Sequence, residues 1–116
     1  MIDLSNINKI YLAPGATDLR LGIDGYSMII QGAFHKNPFD KSLYIFCNKA
    51  HNKLKILHFE DAGFWLYYKR IETGTVKWPK DINDLKKINF KQFNWLLDGL
   101  KIDQKALKKC NASKAY

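Results

Sequence analysis

Between Leu43 and Trp78 the chain divides into four short runs rich in β-branched and aromatic residues: Leu43 to Cys47, Lys53 to Phe59, Phe64 to Ile71 and Thr75 to Trp78. Turn-forming clusters at Asn48 to Asn52, Glu60 to Gly63 and Glu72 to Gly74 separate them, which predicts an antiparallel meander. Leu54, Ile56 and His58 alternate with Lys53 and Lys55, and Phe64, Leu66 and Tyr68 alternate with Trp65, Tyr67 and Lys69. The period of two predicts one apolar face and one face mixing lysine with aromatic rings, and an antiparallel sheet tolerates a solvated face of that kind.

Ahead of the meander, Ile10, Tyr11 and Leu12 form a β-like run stopped by Pro14-Gly15. Leu19, Ile23, Tyr26, Ile30 and Phe34 then recur at spacings of three and four, predicting an amphipathic helix of about four turns. Thr17 is placed to cap it and Asp18 to sit in its first turn, where a negative charge suits the helix dipole. Gly22, Gly25 and Gly32 lie within this span and suggest close packing of the helix on the sheet. After the meander, Trp78-Pro79 ends the sheet and Asp81 to Lys87 reads as a polar connection. A short helix follows with Asn89 as cap, Gln92 three residues on, Ile88 and Phe93 as a hydrophobic staple and Gly99 as the left-handed stop. Its stripe of Phe93, Leu96, Leu97 and Leu100 is expected to pack on the core. The fold class is therefore α+β, a small single domain with an antiparallel β-meander of about four to five strands, an N-terminal helix and a short C-terminal helix. The domain spans residues 1–100 and a basic tail spans 101–116.

A length of 116 residues with 47% hydrophobic content fits one globular domain able to bury a core. No run is long and apolar enough for a membrane span, and Ile2 to Lys9 lacks the order of a signal peptide, so a cytoplasmic protein is expected. Cys47 and Cys110 share no metal-type spacing and read as free thiols.

The net charge is +8, and from Lys77 onward ten lysines face Asp81, Asp84, Asp98 and Asp103. Such a flank favours polyanions through counterion release, although a solubilising lysine surface has the same composition. The loop from Asn48 to Lys53 carries Lys49, His51 and Lys53 on a tip, with Lys55 just beyond, and is the best candidate for phosphate contact. Arg20 and Arg70 are the only arginines beside seventeen lysines. Each has a structural reading, as a bidentate bridge of Arg20 with Asp18 or Asp24 and of Arg70 with Glu72, and a functional one as a phosphate or partner contact. Trp65, Tyr67 and Tyr68 beside Lys69 and Arg70 have the rings to stack bases, or to form core.

Catalytic chemistry finds little support. His35, His51 and His58 form no ligand pair, so no metal and no cofactor is expected. Asp18, Asp24, Glu60, Asp61 and Asp81 are scattered, whereas a metal-dependent phosphoryl-transfer site gathers carboxylates around its ions. No nucleophile elbow or nucleotide loop is present.

The order Thr17-Asp18-Leu19-Arg20, Gly25, Phe46 with its basic loop, Lys55-Ile56-Leu57, Asp61 with Gly63, Lys69-Arg70-Ile71-Glu72, Gly74, Trp78-Pro79 and Leu97 with Gly99 resembles the second open reading frame of IS-66-type insertion sequences. That family, the TnpB accessory proteins, is distinct from the RNA-guided nuclease of the same name, and the resemblance covers roughly Ile7 to Leu100. It implies a non-catalytic accessory role in transposition beside a separate transposase that carries the acidic catalytic residues. The family's recurring polar positions fall here on Asp18, Arg20, Lys55, Asp61, Lys69 and Arg70. Members commonly carry more arginine in the loop that here reads Asn48 to Asn52, and lysine is a less directional reader of bases. Two functions remain open. One is contact with DNA at the element ends through Arg20, Lys49, Lys53, Lys55, Lys69 and Arg70. The other is a protein adaptor that holds the transposase or another small accessory protein through Trp65 and Tyr67.

Overall fold

The computed structural model describes residues 4–80 and 83–98. A 3-10 turn at Leu4–Asn6 leads to strand β1 (Ile10–Leu12) and helix α1 (Ile23–Gly32). Strands β2 (Leu43–Cys47), β3 (Lys53–Glu60), β4 (Gly63–Arg70) and β5 (Lys86–Ile88) follow, and helix α2 (Phe90–Leu97) completes the α+β domain. The order across the sheet is β4-β3-β2-β1-β5.

The sheet is mixed, where a purely antiparallel meander was expected. β1 pairs parallel to β2, with Ile10 opposite Leu43 and Leu12 opposite Ile45. Two parallel strands need a long crossover, and α1 is that crossover, so β1-α1-β2 forms a βαβ unit ahead of the β2-β3-β4 meander. The fourth predicted strand, Thr75 to Trp78, is absent from the ladder. It runs extended over one sheet face, where Val76 and Trp78 are buried and the Trp78 indole Nε1 donates to the Ala13 carbonyl at 2.8 Å. Its edge position is taken by β5, which begins at the end of the predicted polar connection and pairs antiparallel with β1. A three-residue strand whose one buried side chain is Ile88 leaves too short a pattern to read.

Both faces of the sheet are covered, so the expected half-solvated sheet is also corrected. α2 and the extended segment cover one face, with Phe93 and Leu96 packed among Leu12, Ile45, Leu54, Ile56 and Trp78. α1 covers the other, with Tyr26 and Ile30 against Tyr11, Tyr44, Phe46 and Leu57. The Tyr26 and Phe46 rings stack at 4.6 Å. β1 and β2 are consequently buried along their whole lengths. Cys47 is a buried free thiol whose pKa is pushed up to about 12 by burial, which makes it unreactive. Cys110 lies outside the described residues.

α1 is shorter than its apolar stripe. Leu19 and Phe34 pack against the α1-side core as expected, yet the helix begins only at Ile23, after Gly22. The Asp18 carboxylate accepts from the Arg20 backbone N–H at 2.9 Å, a local bond that competes with a helical turn, and Tyr26 Oη donates to the Asp18 carbonyl at 2.9 Å. Thr17 is therefore no cap, and its N–H donates to the Cys47 carbonyl. Of the three glycines, only Gly25 has a close neighbour, and that neighbour is Leu21 rather than the sheet. α2 matches its predicted start: Asn89 accepts from the Gln92 N–H at 2.8 Å while the Gln92 side chain accepts from the Asn89 N–H at 3.0 Å. The predicted Gly99 stop and the 101–116 tail lie outside the described residues.

β3 and β4 are joined by a two-residue turn, Asp61-Ala62, both residues having positive φ (51° and 70°) as in a type I′ hairpin. Aspartate tolerates this region, but the Ala62 Cβ does not sit there comfortably. Ala62→Gly is expected to stabilise the fold by about 0.5–1 kcal/mol in urea unfolding. Unchanged or lower stability would mean that Ala62 is not held in the left-handed region.

Candidate nucleic-acid interface

The turn fixes which side chains share a face. Its register places Lys53 opposite Arg70, Lys55 opposite Tyr68 and Leu57 opposite Leu66, so these residues lie on the α1 side. Leu54, Ile56 and His58 lie opposite Lys69, Tyr67 and Trp65 on the α2 side. The alternation along each strand was legible, but joining the two apolar sets into one face was incorrect. A two-residue loop pairs residues of opposite parity, so the set of β3 that faces α2 meets the Trp65, Tyr67, Lys69 set of β4.

On the α1 side, an open cleft of about 670 Å³ is lined by Thr17, Asp18, Leu19 and Arg20 of the segment before α1, by Asn48, and by Lys53, Lys55, Leu66 and Tyr68 of the sheet. Three cations, Arg20, Lys53 and Lys55, meet one carboxylate, Asp18. Lys55 ties the two walls together: its Nζ donates to the Leu21 carbonyl at 3.3 Å and stands 6.0 Å from the Tyr26 ring centroid. The far corner is held by Asn48, whose Oδ1 accepts from the N–H groups of Asn52 and Lys53 at 3.0 Å each. These bonds shape the Asn48–Asn52 turn, and they set Lys53 at the cleft mouth.

Arg20 and Asp18 make the predicted bidentate pair, Nε to Oδ1 and Nη2 to Oδ2 at 3.0 Å each, with both side chains well exposed. Hydrogen bonds from the Arg20 side chain and then its backbone N–H lower the Asp18 pKa to about 2. Arg70 donates from Nε to Glu72 at 2.6 Å, pairing with the predicted partner through one bond rather than the expected bidentate bridge, and sits on the α1 side beyond the cleft. Lys49 is exposed in the Asn48–Asn52 turn but does not line the cleft.

Lys69 is on the other face, where its ammonium donates to the Leu97 carbonyl at the end of α2. Trp65 and Tyr67 are on that face too, stacked at 6.0 Å, with Trp65 54% exposed. The eight residues singled out in the sequence therefore divide: Arg20, Lys53 and Lys55 converge, Lys49 and Arg70 flank them, and Lys69, Trp65 and Tyr67 are separated by the sheet. Tyr68, one of three rings considered for stacking, is the one in the cleft, and it is 55% exposed. Thr17, Leu19, Asn48 and Leu66 were not anticipated as lining residues. Asn48 carried a signal, an asparagine opening a turn. The others depend on where the segment before α1 is laid down.

Among the described residues, no three His, Cys, Asp or Glu side chains cluster as a metal site, and no helix is long and apolar enough to cross a membrane. Asp61, at the turn, is separated from Lys53 by the length of β3, roughly 25 Å. Asp81 lies outside the described residues.

The family described as IS66 Orf2-like protein matches residues 8–107. The chain belongs to that family. This IS66 Orf2-like protein is 28% identical over 92 residues to the uncharacterized protein y4hO of Sinorhizobium fredii (strain NBRC 101917 / NGR234), covering 79% of this chain and 80% of the relative. It is 24% identical over 100 residues to the uncharacterized protein y4jC of the same strain, covering 86% of each. No solved structure matches it. Membership makes it an accessory protein of insertion-sequence transposition, in a family not known for catalysis.

The Asp18–Arg20 pair has a measurable consequence. A carboxylate whose folded pKa is lowered contributes stability above its ordinary pKa of 3.8 and loses it as pH falls through about 2. In an NMR titration Asp18 should have its midpoint near pH 2, and Arg20→Ala should move it toward 3.8. A wild-type midpoint already at 3.8 would show the pair to be unformed in solution.

Proposed function

We propose that this IS66 Orf2-like protein assists its transposase in the cytoplasm by holding DNA of the element ends in the cleft of Arg20, Lys53 and Lys55, without catalysing a step itself. The observation that supports the reading is the convergence of three cations from two separate chain segments on one open cleft with an accessible ring, Tyr68, in its wall. Lysine ammonium groups neutralise phosphates without selecting a base, and Arg20 keeps its fork occupied by Asp18 until a stronger anion competes for it. Lys49 and Arg70 extend the positive surface on either side of the cleft. Lys69 serves the fold by closing the end of α2, and is not part of the contact surface on this reading.

The adaptor role rests on a different observation, the exposed Trp65 stacked on Tyr67 on the opposite face. An aromatic pair of that kind suits the centre of a protein interface, with the transposase or another small accessory protein as partner.

Fluorescence anisotropy with labelled element-end DNA and a scrambled duplex, at about 50 and 200 mM salt, tests the proposal. The wild type should bind with a steep salt dependence. Lys53→Ala and Lys55→Ala should each weaken binding on both duplexes and lower the logarithmic salt slope by about 1. Lys69→Ala should leave the slope unchanged. Binding that is absent at the lower salt, together with a transposase complex that survives salt and is lost in Trp65→Ala, would replace the DNA role with the adaptor role.

A further inference from the structure

A second basic surface lies across the Asn48–Asn52 turn from the cleft. A small cavity of about 260 Å³ opens between that turn and the extended segment on the α2-side face, lined by His51, Thr75, Val76, Lys77, Trp78 and Lys80. Two ammonium groups and one imidazole meet there, and no carboxylate is among the lining residues. The cleft, by contrast, carries Asp18 to answer Arg20.

Main-chain bonds hold the walls of the cavity. The His51 N–H donates to the Asn48 carbonyl at 3.1 Å, and the His51 carbonyl accepts from the Val76 N–H at 2.9 Å, so turn and segment are tied at this residue. Val76 and Trp78 are buried, and the alternation of an extended chain turns the exposed Lys77 outward between them. The Pro79 carbonyl accepts from the Gly15 N–H at 2.8 Å, which fixes the chain just before the exposed Lys80. The floor is therefore apolar and the rim basic. Low-dielectric walls beneath charge of one sign focus the field and draw in an anion. The volume falls below the roughly 300–1,000 Å³ of ordinary small-molecule sites and suits a group the size of a phosphate.

We infer that this cavity takes a backbone phosphate of DNA, with Lys77 and Lys80 as charge partners and His51 as a hydrogen-bond donor. Continuity with the cleft favours a polyanion over a free phosphate. Asn48 lines the cleft, His51 lines the cavity, and the exposed Lys49 sits between them on the turn. Basic groups thus run across the end of the sheet from the α1 side to the α2 side, a track on which several phosphates of one strand can be neutralised together. The inference rests on the reading that this chain binds DNA, and it does not need the cleft to be the contact. It gives the Asn48–Asn52 turn DNA contacts on both of its sides, where the cleft alone would give them on one.

Fluorescence anisotropy of the full chain with the scrambled duplex, between about 50 and 200 mM salt, measures the number of phosphates neutralised through the logarithmic salt slope. The double variant Lys77→Ala, Lys80→Ala should lower that slope by about 1. A reference double variant, Lys9→Ala with Lys41→Asn, removes the same charge at the opposite end of the sheet, just before β1 and β2, and should leave the slope unchanged. Asparagine suits the left-handed backbone of Lys41, φ 66°. All four lysines are exposed, so each variant is expected to fold. Equal losses in the two double variants would reduce the cavity to background charge and overturn the inference. A slope lowered by Lys53→Ala and Lys55→Ala but not by the cavity variant overturns it and leaves the cleft reading in place, whereas the reverse pattern supports it and removes the cleft. Absence of binding at the lower salt overturns both. A His51 NMR signal that shifts with inorganic phosphate, beside a DNA slope indifferent to the cavity variant, marks a site for a free anion and likewise overturns it.

Discussion

The two residues Asp61 and Ala62 constrain more of this molecule than their size suggests. Because they close the β3–β4 hairpin with a loop of two, even-numbered residues of one strand oppose odd-numbered residues of the other. One more residue in the turn would exchange every β4 side chain between the two faces. Tyr68 would then leave the cleft, Lys69 would leave the end of α2, and Trp65 would face α1. The positive φ values at Asp61 and Ala62 are the local cost of that register.

The second constraint is the parallel pairing of β1 with β2. It requires a crossover, and the crossover brings α1 onto the face that the α2 side leaves open. With both faces covered, β1 and β2 form the dry centre of the sheet, and exposure is pushed outward to β4. The segment before α1 must then pass the end of β3, where Thr17 bonds to Cys47 and Leu21 to Lys55. The cleft is the gap between that segment and the sheet, so its basic lining is a product of the crossover rather than of any contiguous motif.

This arrangement suits an accessory protein better than a catalyst. The cleft sets three cations against one carboxylate that is itself engaged by Arg20. A basic cleft on one face and an aromatic patch on the other give a small domain two distinct surfaces, separated by a sheet packed on both sides.

Local rules wrote much of the architecture into the chain. The Asn89–Gln92 capping box, the Arg20–Asp18 and Arg70–Glu72 pairs, the strands β2 to β4 and the turn at Glu60 to Gly63 all follow from residues within a few positions of one another. The IS66-type resemblance was also legible, in the order of short motifs along the chain. Tertiary structure decided everything that depends on distant segments meeting. It drew β5 from a polar connection because β1 had an open edge to fill. It took Thr75 to Trp78 out of the ladder because Val76 and Trp78 bury better against the sheet face. It also separated Lys69, Trp65 and Tyr67 from Arg20, Lys53 and Lys55. Composition supplies the charges and alternation fixes their order, but strand register and the path of the crossover determine which charges share a surface.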